Sequence, residues 1–162
     1  DADLRRYHAV RQENSHRNGV RCPHLDGILA ARPIYLEQGL GKVFLAEYQG
    51  RIVSGQMLVV FNGNIQLAGI CQSDYAYAEG LPANDLMQWH VIRWGVEQGC
   101  RRIDWAGYTP QPLDEKEAGI NRFKGKWGGS VIPYGTYTRV YGLGRQRALE
   151  WFKNRAKGWG FR

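Results

Sequence analysis

The chain has 162 residues, 43% hydrophobic and 12% aromatic, which is enough apolar material for one core of ordinary domain size. No apolar run approaches the roughly 18 residues needed to cross a bilayer and no leader pattern opens the sequence, so the composition points to a soluble, cytoplasmic domain. The net charge of +7 gathers at the C-terminal end, where residues 140–162 carry six basic groups against one acidic, and such a bias favours an anionic partner: nucleic acid, a phosphorylated substrate or a membrane surface. Cys22, Cys71 and Cys100 are odd in number and widely spaced, which fits reduced thiols rather than a disulfide framework. The chain opens at Asp1 rather than at a methionine, and residues 1–162 are expected to be a single domain belonging to a longer chain or a two-domain enzyme.

In chain order, "DLRRYHAVRQENSHRNG" spaces Leu4, Tyr7 and Val10 as a helix that stops at Gly19, and "HLDGILAARPIYLEQ" predicts a second helix broken or kinked at Pro33. "KVFLAEY", "IVSGQMLVVF" and "IQLAGICQ" follow, separated by Gln49-Gly50 and by Asn62-Gly63-Asn64. Asn-Gly is a strong hairpin signal, so these three runs predict an antiparallel meander. "NDLMQWHVIRWGVEQG" predicts a helix capped by Asn84 or Asp85 and stopped by Gly99, and "RRIDWAG" a short strand directly after it. "DEKEAGINRFK" predicts a short helix, "SVIPYGTYTRVYG" a strand blemished by Pro133, and "GRQRALEWFKNRAK" a basic closing helix.

One stretch concentrates polar chemistry. "NRFKGKWGGSVIPYG" combines glycines, lysines and a serine, but Gly125-Lys126 is followed by Trp127 and lacks the spacing of a phosphate-binding P-loop. His8, His16, His24 and His90 form no metal-ligand spacing, and Ser54, Ser73 and Ser130 have no His-Asp arrangement or nucleophile elbow around them. No metal site and no nucleophilic hydrolysis are expected. Asp104 lies among apolar residues of its strand, where burial would raise its pKa and suit it to orient an amine or act as a base; the competing reading is an aspartate that holds a neighbouring loop.

The element order resembles the GNAT N-acetyltransferase fold without its usual first strand: an α/β (α+β) architecture with a mixed, largely antiparallel sheet flanked by helices. At the residue level, "FLAEYQGRIVSGQMLVVFNGNIQLAG", "LPANDLMQWHVIRWGVEQGCRRIDWAG" and "INRFKGKWGG" resemble the GNAT-like domain of the FemABX family, which attaches amino acids to peptidoglycan precursors, and of related acyltransferases. The likeness runs from about Val43 to Tyr141. "FKGKWGG" is similar to the family's Phe-Lys-x-x-Phe-Gly pattern. The glycine loop that holds the pyrophosphate in acetyl-CoA-dependent GNATs is replaced here by "QSDYAYAEGLPANDLM", with Gly80 as its only glycine, a departure shared with the Fem-type families.

The resemblance implies an enzyme that forms an amide bond on an amine acceptor, with no bound cofactor. Aminoacyl-tRNA is the implied donor, acyl-CoA or acyl-carrier protein the donor in wider relatives, and a lipid-linked or nucleotide-linked cell-wall (peptidoglycan) precursor the implied acceptor. Lys124 would face the cleft and stabilise the oxyanion, with Asp104 as a second catalytic candidate. Arg122 and Lys126 would hold substrate phosphates, and Asn84, Gln88 and Tyr108 would contact substrate where the central strands part. Fem enzymes carry two such domains, so a second GNAT-like domain is an expected partner. The closing helix, with Leu149, Phe152 and Ala156 in one stripe among basic residues, suits either peripheral contact with the inner membrane face or packing on the protein itself. Two other classes fit the composition: a basic RNA-binding module using Trp151, Phe152 and Trp159, and a non-catalytic structural half of a two-domain transferase, in which Lys124 would point to bulk solvent.

Overall fold

Two tight turns set the sheet. Gln49 and Gly50 have φ of 50° and 74°, and Asn62 and Gly63 have 48° and 70°, so each pair supplies the left-handed residues of a two-residue hairpin loop whose twist matches the strands it joins. They connect β1 (Gly41–Tyr48), β2 (Arg51–Phe61) and β3 (Asn64–Gln72) into the predicted antiparallel meander. A fourth strand, β4 (Arg102–Asp104), joins parallel to β3, giving the mixed sheet order β1-β2-β3-β4. The computed structural model describes residues 1–135, 137, 138 and 144.

Each face of the sheet is covered by a helix because side chains alternate along β1 and β2. Helix α1 (Ala2–Arg17) lays Tyr7 and Val10 on one face, against Cys71 and the flanking Val43, Leu45, Ile52 and Met57. On the other face, Val91 of α4 (Ala83–Glu97) packs with Leu58 and Ile65, surrounded by Phe44, Leu67, Trp94 and Ile103. Sandwiched between the two, β2 buries Val53 to Gln56 without interruption. Gly55 makes the close approach of Tyr7 feasible, since a Cβ there would lie 2.7 Å from the tyrosine ring.

The second predicted helix is α2 (Leu25–Arg32), and it changes at Pro33 into a π-helical turn, Pro33–Glu37, so the proline marks a break as expected. Between β3 and α4 the chain forms a short helix, α3 (Asp74–Ala78), where the sequence predicted no element; Ser73 caps it by accepting from Ala76 N at 3.1 Å. Helix α4 starts earlier than expected. Pro82 occupies its cap position, so neither Asn84 nor Asp85 is the cap, and both lie inside the first turn. Helix α5 (Glu115–Gly125) begins at Asp114, whose carboxylate accepts from Glu117 N at 2.8 Å, while the Glu117 carboxylate accepts from Leu113 N at 2.8 Å. Its acids lie in the first turn and Arg122 and Lys124 in the last, in line with the helix dipole.

The chain divides into two units, Asp1–Lys126 and Trp127–Arg162. In the second, Gly128 and Gly129 adopt φ of 77° and 100°, and residues 130–135 have no regular secondary structure. The strand expected from Ser130 onward is therefore absent from its described part; Pro133 removes a backbone donor there that a ladder would need. The rest of that segment and the closing basic helix, with the membrane contact expected of it, lie outside the described residues. Among the described residues, no helix is long and apolar enough to cross a membrane.

Burial decides the reactivity of one cysteine. The Cys71 thiol is 1% exposed and donates to Gly55 O at 3.4 Å, and desolvation pushes its pKa up to about 12. At neutral pH this leaves roughly a thousandfold less thiolate than an ordinary cysteine has. Alkylation of the folded protein, followed by peptide mapping, is expected to label Cys22 and Cys100 and to spare Cys71 until denaturant is added; rapid labelling of Cys71 would contradict this packing.

Candidate active site

The sheet opens where its last two strands stop pairing. β3 and β4 share only Asn64↔Arg102, Ile65↔Ile103 and Gln66↔Asp104. Immediately beyond, the β2–β3 register shifts between Met57↔Gly69 and Leu58↔Leu67, leaving Ala68 as a bulge. A bulge bends its strand and sharpens its twist, so β3 turns away as the chain leaves β4 through Trp105 and Ala106. The gap is a cleft of 490 Å³ bordered by Leu67 to Ile70, by Trp105 and Ala106, by Asn84 and Gln88 of α4, and by Ile120, Phe123 and Lys124 of α5.

Lys124 reaches this cleft from the last turn of α5. The half-buried side chain donates from Nζ to Gly107 O, and an ammonium has further protons to offer a ligand. Burial lowers its pKa from the ordinary lysine value, and the nearby Asp104 carboxylate acts in the opposite sense. Asp104 itself is exposed, which corrects the expectation that its strand would bury it. Its Oδ1 accepts from Ala106 N at 2.8 Å and so holds the turn at Ala106, a residue with φ of 58°. That is the loop-holding role rather than the environment of a buried base.

Asn84 and Gln88 are one helical turn apart on α4, and both border the cleft. Ser54 Oγ lies 3.0 Å from Asn84 Oδ1 and 3.0 Å from Cys71 O, so the buried serine tethers the asparagine to the sheet. Gln88 Nε2 donates to Gln56 Oε1 at 2.9 Å. Gln56 Nε2 donates in turn to Met57 O at 2.7 Å and Gly69 O at 2.9 Å.

The remaining sequence candidates are not brought to the cleft lining. Lys126 forms an ion pair with Asp85 and sits 4.6 Å from the centroid of the Phe123 ring. Arg122 pairs with Glu115, and Tyr108 is 44% exposed outside the lining. The two expected phosphate-holding cations, Arg122 and Lys126, are therefore engaged by acids of α5 and α4, and of the three basic candidates Lys124 alone borders the cleft. Sequence reasoning missed Gln56 and Lys116, both of which border the cleft. Gln56 had a legible signal: in "VSGQML" it shares its strand face with Ser54 and Leu58, and a polar residue in a strand buried on both sides needs a hydrogen-bonding reason to be there. Lys116 had none, because its place at the cleft depends on how α5 folds back.

Where an acetyl-CoA-dependent GNAT would carry its glycine loop, α3 carries Asp74 in its first turn. That carboxylate pairs with Arg17 of α1, and Arg17 Nη2 also donates to Gln72 O at 2.8 Å. The acid is thus neutralised from within the fold.

Comparison with known proteins agrees with this architecture. No curated protein matches the sequence. Among solved structures, the aminoglycoside N-acetyltransferase AAC(6')-Iy in complex with CoA is similar at 18% identity and a TM-score of 0.58, over 86% of this chain and 89% of that one. An aminoglycoside acetyltransferase, meta-AAC0020, from an uncultured soil metagenomic sample, in complex with sisomicin, matches at 14% identity and a TM-score of 0.58, over 86% and 91% of the two chains. The ribosomal-protein-S18-alanine N-acetyltransferase from Escherichia coli matches at 12% identity and a TM-score of 0.55, over 76% and 71%. At these identities the likeness shows the fold, which is that of a GNAT acetyltransferase. The family profile of the acetyltransferase (GNAT) domain matches residues 1–124, so the chain belongs to the GNAT acetyltransferase family.

Proposed function

We propose that the protein is an N-acyltransferase that joins an activated acyl group to an amine in the cleft between β3 and β4. The observation that carries this reading is the Lys124 ammonium, half-buried at the edge of a largely apolar cleft whose opposite walls are strand backbone and helix α4. In the reaction the amine nitrogen attacks the acyl carbon. A C–N bond forms, the C–O or C–S bond of the donor breaks, and the proton lost by the amine leaves with the released alcohol or thiol. The tetrahedral intermediate carries a full negative charge on oxygen, and a cation held by Gly107 O at a poorly solvated wall would stabilise that charge without having to reorganise. Asn84 and Gln88 would hold polar parts of the substrates across the cleft.

A narrower reading takes aminoacyl-tRNA as the donor and a peptidoglycan precursor as the acceptor, with a second GNAT-like domain completing the enzyme. α3 favours it. A five-residue helix whose leading acid is already paired with Arg17 is a poor seat for a CoA pyrophosphate compared with a loop of glycine N–H groups. The three solved relatives described above, two aminoglycoside acetyltransferases and a ribosomal-protein N-acetyltransferase, favour acyl-CoA instead.

Mass-spectrometric detection of acyl transfer decides between donors. Incubation of this chain, and of a longer one that includes neighbouring sequence, with acetyl-CoA, acyl-carrier protein thioester or aminoacyl-tRNA and a panel of amines should give an amide product whose mass is that of donor plus amine less the released thiol or alcohol. Product from aminoacyl-tRNA alone supports the narrower reading. No product from any donor with either chain would sink the enzymatic reading and leave a binding or structural role.

A further inference from the structure

The buried amide pair beside the cleft has a polarity that bonding chemistry alone decides. Gln56 Nε2 donates to two backbone carbonyls, Met57 O at 2.7 Å and Gly69 O at 2.9 Å, and carbonyl oxygens only accept. Turning this amide over would set its oxygen against two others, so Gln56 Oε1 must face Gln88. Gln88 is then obliged to present its NH2 group, which it does at 2.9 Å. What is left of Gln88 is an oxygen. The residue is 1% exposed, and among the described residues no donor meets Gln88 Oε1. A buried carbonyl oxygen deprived of a proton is costly, and it cannot relieve itself by flipping because Gln56 holds the other end.

Gln88 borders the cleft, as do both Gln56 and Gly69 of the chain that orients it. We propose that Gln88 Oε1 is a fixed hydrogen-bond acceptor for an N–H group of the ligand that enters this cleft, and that the amide chain from Met57 O and Gly69 O exists to keep that oxygen an acceptor. Its place in catalysis rests on the acyl-transfer reading above. In that reaction two groups have the right chemistry: the amine of the acceptor and an amide N–H of the acyl donor. An acceptor of fixed polarity discriminates strongly against an oxygen-bearing group without a proton, because two lone pairs would then meet in an apolar wall.

The test reads binding and does not depend on turnover. The full chain, with its glutamine side-chain amides assigned by NMR, is titrated with three small probes: butylammonium, N-methylacetamide and butyltrimethylammonium. The first two carry N–H groups of the amine and amide kinds, and the third keeps charge and alkyl chain but has no N–H. One of the first two is expected to shift the Gln88 side-chain NH2 and the α4 amides near it saturably, and whichever does so identifies the group that is read; the quaternary probe should not. Gln88→Met, which keeps length and removes the acceptor, should weaken that probe by about tenfold, the scale of one hydrogen bond. Because this variant strands Gln56 Oε1, the double variant Gln56→Met with Gln88→Met, in which both ends of the pair become apolar, serves if the single one does not fold. Absence of saturable shifts with either N–H probe, equal binding of the quaternary probe, or undiminished binding in the variants would overturn the assignment. A protein that binds the N–H probe at Gln88 yet transfers no acyl group would keep the assignment and lose only the reaction.

Discussion

Lys124→Met is expected to lower acyl-transfer turnover by about two orders of magnitude, the scale for losing one donor to a developing oxyanion. The melting temperature should stay close to that of the unaltered protein. Two effects oppose each other in the fold: the substitution removes the bond to Gly107 O, and it removes the cost of keeping a charge half-buried, a cost visible in the lowered pKa. The sign follows from linkage. A lysine whose folded pKa lies below its unfolded value binds its proton less tightly when folded, so its contribution raises stability as pH climbs from the folded pKa to the ordinary lysine range. Turnover runs the other way, falling as pH rises through the same lowered pKa and the ammonium is lost, and this alkaline limb should vanish in the Met variant. Unchanged turnover would remove Lys124 from the site. Lys126→Met is the control. Its cation is paired with Asp85 outside the lining, so it should affect turnover little and at most weaken a phosphorylated substrate; an equal loss in both variants would argue for a shared field instead of separate roles.

Leu58→Ala is expected to cost about 2 to 5 kcal/mol of folding stability, read as a fall in urea midpoint at unchanged slope. Leu58 has no exposed surface and packs with Ile65 and Val91 inside a ring of Phe44, Trp94 and Ile103, so its truncation leaves a cavity between two strands and a helix that cannot collapse without moving one of them. For a domain of ordinary stability the loss is a large share of the total. A cost below 1 kcal/mol would mean that α4 is not pressed on the sheet as described. Because α4 also carries Asn84 and Gln88, the same variant should weaken ligand binding if measured while still folded.

The meander was legible because its signals are local. Gln49-Gly50 and Asn62-Gly63 need only their own φ angles to make a turn, and the β-branched and aromatic residues of "KVFLAEY" and "IVSGQMLVVF" mark the strands on either side. Helix α5 was legible for the same reason, through the Asp114 to Glu117 cap and the charge order along the helix. The short helix α3 was not, since five residues span little more than one turn and show no periodicity; Ser73 was its one available signal. Pairings across long separations were equally hidden. Asp85 claims Lys126, and Arg17 claims Asp74, through contacts that exist only once the helices are in place. Asp104 looked apolar in its surroundings because its sequence neighbours are apolar, but at the end of a three-residue strand its carboxylate is exposed. Of the candidate site, sequence order and family likeness therefore identified Lys124, Asn84 and Gln88 as cleft residues, while Gln56 needed the buried sheet to give it meaning.

β4 is tied to the sheet by three register pairs and by the Arg101 N to Gly63 O bond of 2.7 Å, whereas the meander is tied by eight register pairs at each of its two seams. Free energies of local opening follow the number of bonds and buried contacts a segment must give up, so the two walls of the cleft belong to units of very different rigidity. One wall, the bulged β3, is part of this meander. The other, running from β4 into Trp105 and Ala106, can yield while the meander stays whole. The gap thus resembles a jaw with one firmly and one loosely bonded side, and under the proposed acyl-transfer reading acyl chains of unequal girth would be accommodated by the β4 side while Gln56, set in the meander, stays in place.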